Sequence, residues 1–183
     1  TVTSNGADII IMGDGFAADA FGENGSYQTV MEQAYEDFFS VEPFKSLKGY
    51  FNVYTINAVS EDNHDAEPYS DELGQNGATN GSAKTIFNTQ FTPGTTSIKG
   101  NDNLALQYAM QAIRAKGGIN GAPITDENEV YRRACRALIM VMVNVEAHAG
   151  TCYKYTSSND VSDFCEMYSA VKGDKEIFKK EFA

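Results

Sequence analysis

The chain has 183 residues, 42% hydrophobic and 21% charged, values that fit one large globular domain and exclude a chain disordered throughout. Its longest apolar run, residues 137–143, is about a third of the roughly 20 residues that a membrane-spanning helix needs. The net charge of −11 repels phosphate backbones, and Lys and Arg form no basic patch, so nucleic acid is not an expected partner.

The chain begins at Thr1 without a charged-then-apolar leader and reads as a mature or excised segment. Residues 7–12 form a continuous apolar run closed by Gly13-Asp14-Gly15, the pattern of a strand buried on both faces. Ser26 is placed to cap a helix in which Tyr27, Val30, Met31, Ala34, Tyr35, Phe38 and Phe39 form one inward stripe, with Pro43 as its stop. A second strand is predicted over 51–59. The stretch 60–101 is long, polar and irregular, with short strands expected near 84–87.

Asp102 or Asn103 opens a second helix to about Lys116, with Ala105, Tyr108, Ala109, Ala112 and Ile113 on one face and Gly117-Gly118 at its end. Thr125 is read as the cap of a third, with Asp126 and Glu127 in its first turn. The apolar strand 137–143 follows, then a short alternating piece at 151–155 that reads as an edge strand. Asn159 is expected to cap a helix through Val161, Phe164, Cys165 and Tyr168, ended by Gly173, and Asp174 to cap a last one reaching Ala183. No repeat, charge block or linker divides the chain. The layout predicts an α/β fold with a mixed, largely parallel sheet flanked by helices.

Little chemistry is visible in this pattern. Gly13-Asp14-Gly15 lacks both the later glycines of a dinucleotide loop and the Lys of a Walker loop. It reads as a sharp strand exit whose Asp14 caps neighbouring amides, with a cleft or cation-binding role as the alternative. Of the two histidines, His64 lies in Glu61-Asp62-Asn63-His64-Asp65, which offers oxygen ligands but not the register of a calcium-binding EF-hand loop, and so reads as a solvated acidic segment. His148 reads as a surface or hydrogen-bonding loop residue. Neither histidine has a partner at helical ligand spacing, and no catalytic triad motif occurs, so no catalytic residue and no metal ligand is assigned within the chain. Among the three cysteines, Cys135 is expected to be a buried thiol. Cys152 and Cys165 are near enough to bridge in an oxidising compartment, or else remain two thiols.

Several segments together resemble the M64 family, the IgA-type metallopeptidases of bacteria. They are Ile10-Ile11-Met12-Gly13-Asp14-Gly15-Phe16, then Phe38-Phe39 with Pro43-Phe44, then Tyr50-Phe51-Asn52-Val53-Tyr54. Thr85-Ile86-Phe87-Asn88 and Val141-Met142-Val143-Asn144 match later family segments, and the family's Tyr-Gly-Gly stands here as Ala147-His148-Ala149-Gly150. The likeness is strongest over 7–60 and looser beyond.

The resemblance implies that residues 1–183 are the N-terminal portion of a single zincin-like catalytic domain, cut before its HExxH helix, with 174–183 as the beginning of that helix. It implies a secreted, periplasmic or cell-surface zinc endopeptidase that hydrolyses protein substrates, with immunoglobulin as a candidate. Zinc is then a cofactor of the complete enzyme and is not expected in this span, which alone is expected to be inactive. The family's edge strand pairs with extended substrate, which makes Asn144, His148, Gly150 and Tyr153 the substrate-binding candidates. The alternative function is a non-catalytic protein- or glycan-binding module that keeps the scaffold.

Overall fold

The apolar run at 7–12 lies within β1 (Ala7–Asp14), where every residue from Asp8 to Asp14 is buried; burial on both faces accounts for its lack of alternation. In this computed structural model, which describes residues 6–23, 25–68, 77–155 and 164–170, β1 is flanked in parallel by β2 (Phe51–Thr55) and β5 (Leu138–Val143). β7 (Phe164–Ala170) runs parallel to β5, and β6 (Gly150–Tyr155) closes the far side antiparallel to β7. The five-stranded order is β2-β1-β5-β7-β6, the mixed, largely parallel sheet that the sequence predicts.

Helices cover both faces. On one, Tyr27, Met31, Ala34 and Phe38 of α1 (Ser26–Phe38) pack against Ile9, Ile11, Met140 and Met142. On the other, α3 (Asp102–Lys116) and α4 (Glu127–Ala134) cover Ile10, Met12, Ile139 and Val141. The expected stripe of α3 is inward, with Ala105, Ala109, Ala112 and Ile113 buried and Tyr108 packed at the margin. Small alanines let this helix lie close to the sheet. Under α4, Arg133 forms a two-pronged pair with Asp8 of β1, at 2.6 and 2.7 Å, and also donates to the Gly117 carbonyl and Tyr54. The short α2 (Phe44–Leu47) precedes β2, and between β2 and α3 comes a small antiparallel hairpin of β3 (Gln90–Phe91) and β4 (Ile98–Lys99). Cys135 is buried as expected. Among the described residues no helix is long and apolar enough to cross a membrane.

Several boundaries differ from the sequence reading. The expected helix through Phe164, Cys165 and Tyr168 is instead β7, because the segment docks between β5 and β6, and tertiary pairing overrides its helical spacing. Asn159, Gly173 and the expected helix at 174–183 lie outside the described residues. Ser26 does not cap α1; Gly25 does, and a Cβ there would stand 2.1 Å from the Ala20 carbonyl oxygen. The helix ends at Phe38, where Ser40 donates to the Asp37 carbonyl, and Pro43 stands instead before α2. β2 stops at Thr55, after which Tyr27 and Phe16 take up the backbone groups of 56–60. The hairpin strands lie at 90–91 and 98–99 rather than at 84–87. Asp126, not Thr125, caps α4.

Candidate functional site

The parallel strands β1, β5 and β7 end on one side of the sheet, and there the chain gathers its polar groups. Asp14, the last residue of β1, is fully buried. Its carboxylate accepts from the Thr85 hydroxyl at 2.7 Å, the Phe87 N–H at 2.8 Å and the Thr89 N–H at 3.1 Å, and from the Thr89 hydroxyl. The expected capping role of Asp14 is therefore real, but the amides it caps are distant in sequence. These bonds shape the stretch 85–89 into a loop over the sheet, with Asn88 in the left-handed region at φ 48°.

Gly15 turns the chain out of β1 at φ +73°, and its missing side chain leaves room for His64, whose Cβ would be 2.5 Å from a Cβ there. The Ser60 hydroxyl accepts from Gly15 N–H and Ile86 N–H, both at 3.0 Å, while Gly15 C=O accepts from His64 N–H and the Asn144 side-chain amide. Three separate segments are thus tied to one strand exit.

His64 is half-buried here, not solvated as its acidic neighbours suggest. Its Nδ1 accepts from Ala66 N–H at 3.2 Å, which puts the neutral ring's proton on Nε2, facing the Thr89 hydroxyl at 3.2 Å. Burial lowers the His64 pKa below its ordinary value, against the opposing pull of Asp14. The chain of donors runs His64 to Thr89 to Asp14. A nucleophilic triad needs the opposite polarity, with the hydroxyl donating to the imidazole. This arrangement fastens the loop; it does not activate Thr89.

Around His64, the acidic side chains are already engaged. Asp62 accepts from Lys84 N–H, and Asp65 from Ser82 and Ala83 N–H, bonds that lower the Asp65 pKa. Among the described residues, no group of three His, Cys, Asp or Glu side chains could hold a metal ion.

A second polar cluster sits where β7 meets the start of α3. Tyr168 Oη is 2.8 Å from both Glu166 Oε1 and Asp102 Oδ1. Burial pushes the Glu166 pKa up to about 8, so this acid keeps its proton at neutral pH. The Tyr168 hydroxyl is within donating distance of both carboxyl groups and has one proton to give to either. Glu166 Oε2 is buried and has no hydrogen-bond partner among the described residues.

The four sequence-predicted residues are distributed along this side of the sheet and down β6. Asn144 follows β5, bound to Gly15, with its Oδ1 buried and unpartnered among the described residues. His148 is half-buried in the turn between β5 and β6. Gly150 N–H is taken by the Thr96 carbonyl, and the Tyr153 hydroxyl donates to the Ile98 carbonyl of β4, while Thr151 accepts from Ile98 N–H. The hairpin therefore clamps β6 on the α3 face. Because Ala170 N–H donates to Ala149 C=O, ladder alternation turns the backbone of Tyr153 toward Glu166 and that of Cys152 and Lys154 away from β7. Cys152 stands opposite Met167, and Lys154 opposite Cys165.

Sequence reasoning misses Ser60, Thr85, Thr89 and Glu166. The first three are isolated hydroxyls in a polar loop, and nothing local connects them to Asp14. Comparison with known proteins finds no family model and no curated protein that matches this chain.

Proposed function

We propose that this chain forms the sheet portion of a secreted or cell-surface zinc metallopeptidase domain of M64 type, acting on protein substrates. The observation that carries the reading is the antiparallel strand β6, at the edge of the sheet among the described residues and beside β7 in an otherwise parallel sheet, with the backbone of Lys154 directed away from β7. Such an edge suits an extended peptide, which adds as one more strand. The segments that resemble the family are also neighbours in space: 10–16 and 141–144 follow β1 and β5, 51–54 follows β2, and 85–88 is bound to Asp14. In this reading the zinc ligands lie beyond the chain, and zinc supplies an activated water when bound.

The test uses the parent polypeptide. It should contain one zinc per chain by elemental analysis and cleave casein or immunoglobulin, with activity lost to a chelator. Lys154→Pro, which removes one outward donor from the edge, should lower kcat/KM roughly 3- to 10-fold, the worth of one hydrogen bond, with folding kept. A zinc-free protein that binds immunoglobulin without cutting it would replace this reading with a binding module. Chelator-resistant proteolysis by the 183-residue chain alone would also overturn it.

A further inference from the structure

Where the β3–β4 hairpin hands over to α3, the chain forms a polar cleft of about 540 Å³, a volume within the range of small-molecule sites. Three segments build its walls: Asn88 and Gln90 from one, Lys99 from the second, and Asn101, Asp102 and Asn103 from the start of the helix. Among the described residues, no aromatic or aliphatic side chain lines it. The side chains of Asn88, Gln90, Lys99 and Asn103 have no hydrogen-bond or ion-pair partner among the described residues, so their polar groups are available to a ligand.

Much of this wall is fixed from behind. Asn88 lies between Phe87 and Thr89, whose N–H groups both donate to Asp14. Asn101 donates its N–H to Phe87 C=O at 2.7 Å and accepts from Leu104 N–H through Oδ1, which orients its amide and leaves Nδ2 to donate. Gly100 completes the lining and backs onto Tyr168, where a Cβ would stand 2.6 Å from the ring. The Tyr168 hydroxyl, 2.8 Å from Asp102 Oδ1, joins that carboxylate to the fully buried Glu166, whose Oε2 is unpartnered among the described residues. A buried acid and phenol are costly to maintain, and here they set the position of the one carboxylate in the cleft. Such preorganisation lowers the entropy lost on binding.

The chemistry of the wall selects the ligand. Lys99 and Asp102 are the charged side chains that line it, and they offset, which disfavours phosphates and metal cations alike. Without a ring or an aliphatic wall, the cleft offers nothing to a planar base or an acyl chain. Four primary amides remain. Each presents a donor and an acceptor side by side, the match of two adjacent hydroxyls. We propose that this cleft binds a neutral carbohydrate of mono- or disaccharide size. Asp102 accepts from one sugar hydroxyl, and the amides of Asn88, Gln90, Asn101 and Asn103 pair with its neighbours. The site does not rest on the peptidase reading, since none of its residues belongs to β6.

The probes are maltose, lactose and diacetylchitobiose, each titrated into the isotopically labelled chain. At least one is expected to give saturable NMR shifts at the side-chain amides of Asn88, Gln90, Asn101 and Asn103. Asp102→Asn, which keeps an acceptor for Tyr168, should weaken that sugar about tenfold or more, the worth of a hydrogen bond to a charged group. Gln90→Ala, on the exposed hairpin, should weaken it roughly threefold without touching the fold. No saturable shift at these amides through tens of millimolar of all three sugars overturns the proposal, as does affinity unchanged in both variants. Calcium or inorganic phosphate shifting the same amides where the sugars do not would assign the cleft to an ion instead.

Discussion

Asp14 holds Thr89 twice, through its backbone N–H and through its hydroxyl, across 75 residues of chain. With Thr85 and Phe87 bound to the same carboxylate, a single buried side chain sets the path of the loop over the carboxyl ends of the strands. A buried carboxylate is tolerated because hydrogen bonds surround it.

Replacing Asp14 with Ala leaves the Phe87 and Thr89 amides without their acceptor in a buried setting. The expected loss is roughly 3–5 kcal/mol, from several hydrogen bonds to a charged group that do not add fully. Asp14→Asn keeps an acceptor and should cost less. Urea unfolding of both variants measures this, and a loss under about 1 kcal/mol for Asp14→Ala would show that the loop is held by other contacts.

Phe38 is 2% exposed and meets the rings of Phe39, Phe44 and Phe51. Phe38→Ala should therefore cost about 3–5 kcal/mol, the range for emptying a buried aromatic site. Lys45, on exposed α2, should tolerate Ala within about 0.5 kcal/mol. Equal denaturation midpoints for the two variants would contradict the packing of α1.

Glu166 and His64 give stability two opposite pH slopes. The folded chain keeps the Glu166 proton up to about pH 8, whereas the unfolded chain sheds it near its ordinary 4.5, so this contribution falls as pH rises between those values, by roughly 5 kcal/mol. His64 has a folded pKa below 6.5; its contribution is complete above that value and is lost as pH falls toward the folded pKa. Protonation would also set an Nδ1–H against Ala66 N–H. Glu166→Gln should flatten the slope between about pH 5 and 8, and His64→Asn should remove the fall on the acid side. Unfolding free energies measured across pH 4.5–9 check both, and wild-type curves for either variant would refute its assignment.

The elements legible in the sequence are those whose burial is repeated locally. β1 shows as an unbroken apolar run because both its faces are covered, and α1 and α3 show as stripes because each packs one side on the sheet. β7 is not legible, since Phe164, Cys165 and Tyr168 fit a helical stripe as well as a strand; its pairing with Leu138–Val143 on one side and Gly150–Tyr155 on the other decides the matter. The edge position of β6 could be read from its short alternation, but the inward turn of Tyr153 could not, because it depends on Ile98. The Asp14 and Glu166 clusters escape the sequence for the same reason: each joins groups brought together only by the sheet.

Tyr27 shows how such joins bear on motion. Its buried hydroxyl, with a pKa pushed up to about 12 chiefly by burial, donates to Ile56 C=O and accepts from Gly13 N–H and Ala58 N–H. The end of a central strand and the segment leaving an edge strand thus share one phenol as their partner. When α1 lifts from the sheet, both amides lose that acceptor in the same event. Their deuterium uptake under native conditions should then be governed by a common opening, with matched sensitivity to mild denaturant, although they are 45 positions apart in a 183-residue chain.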